Sequence, residues 1–211
     1  QCLETATKFY QLQFSKNKIA LEYILKKRAY TKDTALKFKI GYSPNTGDAL
    51  TKYLRGKKFS DKEIISAGLA TDRYSRVSDM FRGRIMVPLC DGQGRVIGFT
   101  ARLLADDESG PKYINTAQTV LYDKGRNVFG LHLAKDQIRT DGFVVVAEGN
   151  LDVIASHQAG IANVVASAGT AMTEMHLKEL ARFTDDVRLA FDQDKAGLNA
   201  MERVIPLASK T

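Results

Sequence analysis

The sequence predicts a basic α+β lobe followed by an acidic α/β domain built on a parallel sheet, and three observations carry that expectation. Apolar residues recur at three- and four-residue steps through residues 3–40, the period of amphipathic helices. Two strand-like runs flank "DGQG" (91–94), the pattern of a hairpin. From residue 141 short apolar runs alternate with helical segments, as buried parallel strands joined by crossover helices do. The charge changes at the same place: residues 1–140 hold 25 Lys and Arg against 14 Asp and Glu, and residues 141–211 hold 6 against 10. A boundary is expected between 140 and 141, with a polyanion as partner of the first part and cations as partners of the second.

The elements follow in order. "ETATKFYQLQF", "KIALEYILKKR" and "TKDTALKFKI" are predicted helices, "GYSPNTG" (41–47) a loop, and "DALTKYLRGKK" and "SDKEIISAG" two short helices, the second capped by Ser60. Strands are predicted at "RIMVPL" (84–89) and "VIGFTARLL" (96–104). A looser stretch, 105–128, holds "PKYIN" and "YDKGRN", and a helix at "LHLAKDQI" closes the lobe. Beyond 141, "FVVVAEG", "NVVASAG" and "DVRLAF" read as strands. "LDVIASHQAG", ending at Gly160, "TEMHLKELARF", capped by Thr173, and "LNAMERVIPLA" read as helices, with "DQDKAG" a loop.

Bulk composition excludes several classes. With 211 residues, 44% hydrophobic and 26% charged, the chain can bury one large or two small cores. No apolar run approaches the roughly 20 residues of a membrane span, so no membrane partner is expected. Cys2 and Cys90 make no C-x-x-C, zinc pattern or disulfide framework, as suits a reducing cytoplasm. Gln1, with no signal-like stretch after it, reads as the start of an excised fragment.

Acidic residues carry the chemistry. In open α/β sheets ligands sit outside the carboxyl ends of the strands. Glu148 ends the first predicted strand of the second part, and Asp192 and Asp194 follow the third. Parallel strands would bring all three to one edge, with Asp152 in the first turn of the next helix. Four acids there repel one another unless cations neutralise them. Mg²⁺ or Mn²⁺, hard ions that take oxygen ligands and clamp phosphoryl oxygens, are the natural answer. In the plainer alternative Glu148 and Asp152 are helix-N-terminal acids and "DQD" is a turn; the joint placement favours the metal. His132, His157 and His176 show no triad or metal spacing and read as ordinary helix residues.

The segments "VVAEGNLDV", "NVVASAGTAMTEMHLKEL" and "VRLAFDQDKAGLNA" resemble a TOPRIM domain, a Rossmann-like α/β fold with E-G and D-x-D motifs. Upstream, "LKKRAYTKDTALKFKIGYSP", "FRGRIMVPLCDGQGRVIGFTARLL", "PKYINT" and "YDKGRNVFGL" resemble, in order and spacing, the RNA polymerase core of DnaG-type bacterial DNA primases. The resemblance runs through nearly the whole chain. It implies that residues 1–140 are the basic α+β subdomain of that core and 141–211 a TOPRIM domain incomplete at its C-terminus. The implied activity is nucleotidyl transfer: DNA-templated synthesis of short RNA primers from ribonucleoside triphosphates, dependent on Mg²⁺ or Mn²⁺ with more than one ion.

By the same resemblance Glu148, Asp192 and Asp194 are metal ligands and Asp152 a nearby catalytic acid. Arg28, Arg102, Lys112, Tyr113 and Lys124 fall at the family's nucleotide- and template-binding positions, where Arg and Lys suit phosphates. Arg82 and Arg84, at the hairpin entrance, are lesser candidates for phosphate contacts. The implied partners are single-stranded DNA, nucleoside triphosphates, and the replicative helicase through a C-terminal module absent from these residues; a zinc module is likewise expected outside them. The implied place of action is the cytoplasm, at the replication fork. Three positions depart from the family pattern: Asn150 stands where an aromatic is usual, Gln193 where Gly is common, and Ala29 where Gly follows the arginine. Two other readings use the same residues. One is a metal-dependent TOPRIM nuclease or topoisomerase-like enzyme, which the "PKY" lobe argues against. The other is a non-catalytic module that binds nucleic acid or a nucleotide.

Overall fold

The computed structural model describes residues 1–73, 76–104, 110–169 and 171–208. The start of the looser stretch, 105–109, and Thr170 of the TOPRIM-like segment lie outside the described residues. The chain forms two compact units, Gln1–Pro88 with Val96–Tyr122, and Leu89–Arg95 with Asp123–Thr211.

The first unit opens with α1 (Cys2–Lys16), which buries Leu3, Ala6, Phe9, Tyr10 and Phe14. Asn17 caps α2 (Lys18–Glu22), and α2 runs directly into a π-helical turn, Tyr23–Lys27. Thr31 caps α3 (Lys32–Lys37) through the Thr34 N–H. The predicted loop at 41–47 begins instead with a strand, β1 (Gly41–Ser43), paired antiparallel to a later strand; three residues are too few for a period to show. Two helices follow, α4 (Ala49–Gly56) and α5 (Asp61–Ser66), and Ser60 with Glu63 closes a capping box on the second. An unpredicted hairpin, β2 (Ala70–Arg73) with β3 (Arg76–Asp79), ends on buried Asp79. The Asp79 carboxylate accepts the Leu50 and Thr51 N–H groups at 2.9 Å and the Thr51 hydroxyl at 2.6 Å, capping α4 from across the fold. The main sheet is completed by β4 (Arg84–Cys90), β5 (Val96–Leu103) and β6 (Tyr113–Asn115), in the order β1-β4-β5-β6.

In the second unit α6 (Leu131–Asp141) is followed by β7 (Phe143–Ala147), α7 (Asn150–Gln158), β8 (Val164–Ala166), α8 (Glu174–Leu180), β9 (Asp186–Ala190) and α9 (Lys195–Ala208). The strands form a parallel sheet in the order β8-β7-β9. One core gathers Leu131, Ala134 and Ile138 of α6, Val144 and Val146 of β7, Val165, Leu177, Leu180 and Val204. Those α6 contacts place the 131–141 helix in the second compact unit, whereas the sequence reading closes the basic lobe with it. Among the described residues no helix is long and apolar enough to cross a membrane.

Candidate active site

Strand register sets the acidic edge. Ala147 pairs with Ala166 on one side and with Ala190 on the other, so the chain leaves all three parallel strands at one level. Glu148, Ser167 and Phe191 are the first residues beyond that level. Asp192 comes next, and its backbone N–H donates to Glu148 Oε2 at 3.2 Å, bringing two of the candidate acids together. Asp194 Oδ1 accepts the Gly197 N–H at 2.8 Å and so closes the first turn of α9. Asp152 turns back on α7, its Oδ2 accepting the Gly149 N–H at 3.1 Å. All four acids are exposed.

Close approach of the backbone requires the glycine at 197, whereas at 149 the Asp152 carboxylate could swing aside. A Cβ at Gly197 would fall on the Asp192 carbonyl, and one at Gly149 would lie 2.7 Å from Asp152 Oδ2. Any side chain at 197 therefore pushes the D-x-D loop out of place.

Among the described residues no three Asp, Glu, His or Cys side chains converge closely enough to hold an ion. Asp152 and Asp194 are instead engaged at helix N-termini, where acids are favourable. The donor set nevertheless suits a hard divalent cation. Each carboxylate offers about four lone-pair sites, and one backbone N–H occupies only one of them. Beside Glu148 a cavity of about 340 Å³ is lined by Ser167, Gly169, Met172, Phe191 and Arg203, adding a cation that the sequence reading did not single out.

The first unit gathers four of the five nucleotide- and template-binding candidates around residues on neighbouring elements. Arg102 lies opposite Tyr113 in the β5–β6 pairing, and its guanidinium stands 4.6 Å from the Tyr23 ring centroid. Arg102 is only 7% exposed, so it is not the solvent-facing strand residue its position alone suggests. Arg28 donates from Nε to the Tyr23 hydroxyl at 2.7 Å. Partial burial works to lower the Arg28 pKa, but the Tyr23 hydrogen bond and the nearby Tyr113 and Tyr30 hydroxyls outweigh it and hold the group above its ordinary value. Lys112 is exposed, as is Tyr113 at 47%.

Arg84 corrects the sequence reading. It is 5% exposed and donates to the carbonyls of Pro111 at 2.9 Å and Lys112 at 3.4 Å, so it anchors the "PKY" segment from beneath rather than facing a phosphate. Arg82 is exposed. Lys124, the fifth basic candidate, lies in the second compact unit, exposed on its loop.

That loop is held by Thr173, the expected cap of α8, and by His176, which the sequence reads as an ordinary helix residue. Thr173 Oγ1 donates to the Gly125 carbonyl at 2.5 Å. The fully buried His176 accepts the Thr173 N–H at Nδ1 (3.1 Å), which leaves its proton on Nε2 to donate to the Lys124 carbonyl at 3.1 Å. Burial pushes the His176 pKa below its ordinary value. The signal was available: T-x-x-H places a side-chain acceptor where a capping box carries Glu or Gln.

A parallel-sheet domain with E-G and D-x-D acids at its carboxyl edge, preceded in the chain by a basic α+β unit, defines a TOPRIM-containing nucleic-acid enzyme core as the class. Residues 145–211 match the Toprim-like family, and residues 9–135 match the family described as the N-terminal domain of the DNA primase catalytic core. The chain belongs to the DNA primase catalytic-core family. It is 38% identical to the DNA primase of Aquifex aeolicus over 97% of this chain and 41% of that protein. The RNA polymerase domain of Mycobacterium tuberculosis primase DnaG superposes with a TM-score of 0.90 at 35% identity, covering 97% of this chain and 69% of that one. A DnaG primase catalytic domain bound to ssDNA superposes with a TM-score of 0.88 at 34% identity, covering 99% of this chain and 65% of that one. The chain spans less than half the length of the curated relatives it matches. Divalent metals are in general use in the Toprim and primase families.

Proposed function

We propose that this chain is the catalytic core of a DNA primase, making short RNA primers on single-stranded DNA from ribonucleoside triphosphates. The observation that carries the reading is the shared carboxyl edge: the register of β7 and β9 sets Glu148 beside Asp192, with Asp194 two residues on, in a chain of the primase core family. Glu148, Asp192 and Asp194 would hold Mg²⁺ or Mn²⁺, more than one ion, with Asp152 alongside. Ions bound there would lower the pKa of the attacking 3′-hydroxyl and offset charge on the leaving pyrophosphate. The hydroxyl comes from the growing primer, so the chain itself need supply no nucleophile. The Glu148 carboxylate is directed by the Asp192 N–H that it accepts. Arg28, Arg102, Lys112 and Lys124 neutralise template and triphosphate phosphates, and Tyr113 offers a stacking face.

Residues 1–140 serve template and nucleotide binding on this reading, and residues 141–211 the metal-dependent step. The work is placed in the cytoplasm, at the replication fork. The replicative helicase is the protein partner, through none of the residues argued above. The test is incorporation of labelled ribonucleotides on single-stranded DNA with Mn²⁺. It uses this chain, a chain carried further toward the length of its relatives, and the longer chain with Asp194→Ala. RNA from the longer chain that disappears with Asp194→Ala supports the reading. Nicked DNA without RNA, or template binding without turnover in a folded, metal-binding protein, overturns it.

A further inference from the structure

Tyr23 is not among the candidate site residues, yet three cations surround it. The Arg102 guanidinium lies 4.6 Å from its ring centroid, that of Arg28 5.6 Å and the Lys27 ammonium 5.8 Å. The Tyr23 hydroxyl also accepts the Arg28 Nε–H at 2.7 Å. Two guanidiniums that share one aromatic repel each other, and the negative face of the ring offsets that repulsion. We propose that Tyr23 is a positioning residue of the basic platform, whose ring and hydroxyl hold Arg28 and Arg102 together as a preordered cationic pair. The inference rests on the reading of this surface as the template- and nucleotide-binding face.

The backbone is shaped for that role. On an α-helix the side-chain neighbours of residue 23 are three and four positions on, not five. Here the chain forms a π-helical turn over Tyr23–Lys27, with the Arg28 N–H bonded to the Tyr23 carbonyl at 2.9 Å. That wider turn carries position 28 back over position 23, and such turns are frequent at functional sites. Tyr23 itself is 6% exposed, so it acts through its partners instead of touching the polymer. Arg28 is half-buried and reaches solvent, whereas Arg102 is almost covered. Arg28 is then the contact group, and Arg102 adds its field from beneath.

The experiment measures binding of a labelled single-stranded oligo(dT) against salt for the wild-type chain, Tyr23→Phe, Tyr23→Leu and Arg28→Met. Tyr23→Phe keeps the ring and loses the hydroxyl, so about threefold weaker binding is expected. Tyr23→Leu loses both, for about tenfold. The slope of log K on log salt should become shallower in Tyr23→Leu by about 0.7, one phosphate contact. Wild-type affinity and slope in both tyrosine variants, with Arg28→Met weakened, would overturn the positioning role and leave the binding face standing. Unchanged binding in Arg28→Met, or no salt-dependent binding by the wild type, would overturn the face and the inference with it. If Tyr23→Leu does not fold, Tyr23→Phe decides. Faster solvent exchange of the Arg28 Nε–H with weaker binding supports the role, and unchanged exchange and affinity overturn it.

Discussion

Glu148, Asp152, Asp192 and Asp194 stand exposed at strand and helix ends, whereas Arg84 and Arg102 lie almost wholly covered inside the first unit. The Glu148, Asp152 and Asp194 carboxylates each accept a backbone N–H, which water can satisfy when the carboxylate is removed. The two arginines bond to backbone carbonyls, and removing the Arg84 guanidinium takes the donor from the partly buried Pro111 carbonyl. The charge of these four acids is therefore separable from stability, and that of the two covered arginines is not. The same contrast divides the substitutions into those that silence the chemistry of an intact fold and those that loosen the fold itself.

The largest effect is expected at Glu148. Glu148→Gln keeps the shape and an oxygen for the Asp192 N–H but removes the charge. On the proposed function, primer synthesis by the longer chain should fall by more than about a hundredfold. The melting temperature should move by less than about 2 °C, since surface substitutions cost within about 0.5 kcal/mol. A collapse of the fold with Glu148→Gln would erase the contrast between the two regions.

Arg84→Ala should behave in the opposite way. It opens a buried space and takes its donor from the Pro111 carbonyl, while the Lys112 carbonyl keeps the Leu103 N–H at 2.9 Å, a loss of about 3 kcal/mol. For a chain of this size that lowers the melting temperature by about 6–12 °C. The exposed Arg82→Ala should stay within about 0.5 kcal/mol of wild type. Oligo(dT) binding should weaken in Arg84→Ala even below its melting range, because the backbone that presents Lys112 loses its anchor. Equal melting temperatures for the two variants would show that Arg84 is no clamp.

What the sequence made legible follows the range of the physics involved. Helices α1, α3, α4 and α5 announce themselves through local periods, the parallel strands through short apolar runs, and E-G and D-x-D are visible because a motif is read within a few residues. The strands β1 and β6 are three residues each and the β2–β3 hairpin four on each side, too short for a period to show. The partnership of Tyr23 with Arg28 was hidden because it needs a turn that α-helical spacing forbids. Arg84 looked like a surface cation because nothing local says that β4 is buried along its whole length. The edge shared by Glu148 and Asp192 was legible only once parallel strands were assumed. The engagement of Asp152 at a helix N-terminus is the plainer alternative that the sequence allows, whereas that of Asp194 falls where the sequence reads only a turn.

His176 gives the basic loop of the second unit a pH dependence. Its folded pKa is lowered by burial, so the unfolded chain takes up a proton more readily than the folded one. The stability that its neutral form contributes is complete above about pH 6.5, the unfolded value, and is lost as the pH falls below it. Melting of the wild type and His176→Gln, compared from pH 7.5 to 5.5, should show the wild-type advantage shrinking toward acid. The other titrating groups are common to both chains, so the difference isolates this one. An advantage that is flat or grows in acid would mean that the ring is not held neutral between Thr173 and Lys124.

Ala29→Gly should give a small effect, and one with the opposite sign. It follows the π turn with φ +53°, a left-handed conformation in which a side chain costs about 1–2 kcal/mol. Its methyl group is exposed and gains no burial in return. Ala29→Gly removes that cost but gives the unfolded chain more freedom, worth about 0.4–1 kcal/mol against it. The net expectation is a gain of about 0.5–1 kcal/mol, or 1–4 °C in melting temperature. The Tyr23 contacts to Arg28 precede the bend, so oligo(dT) affinity should change by less than about twofold. A more stable chain that binds less tightly would show instead that the bend at Ala29 is part of what orders Arg28. The basic platform would then depend on backbone strain as well as on the ring beneath it.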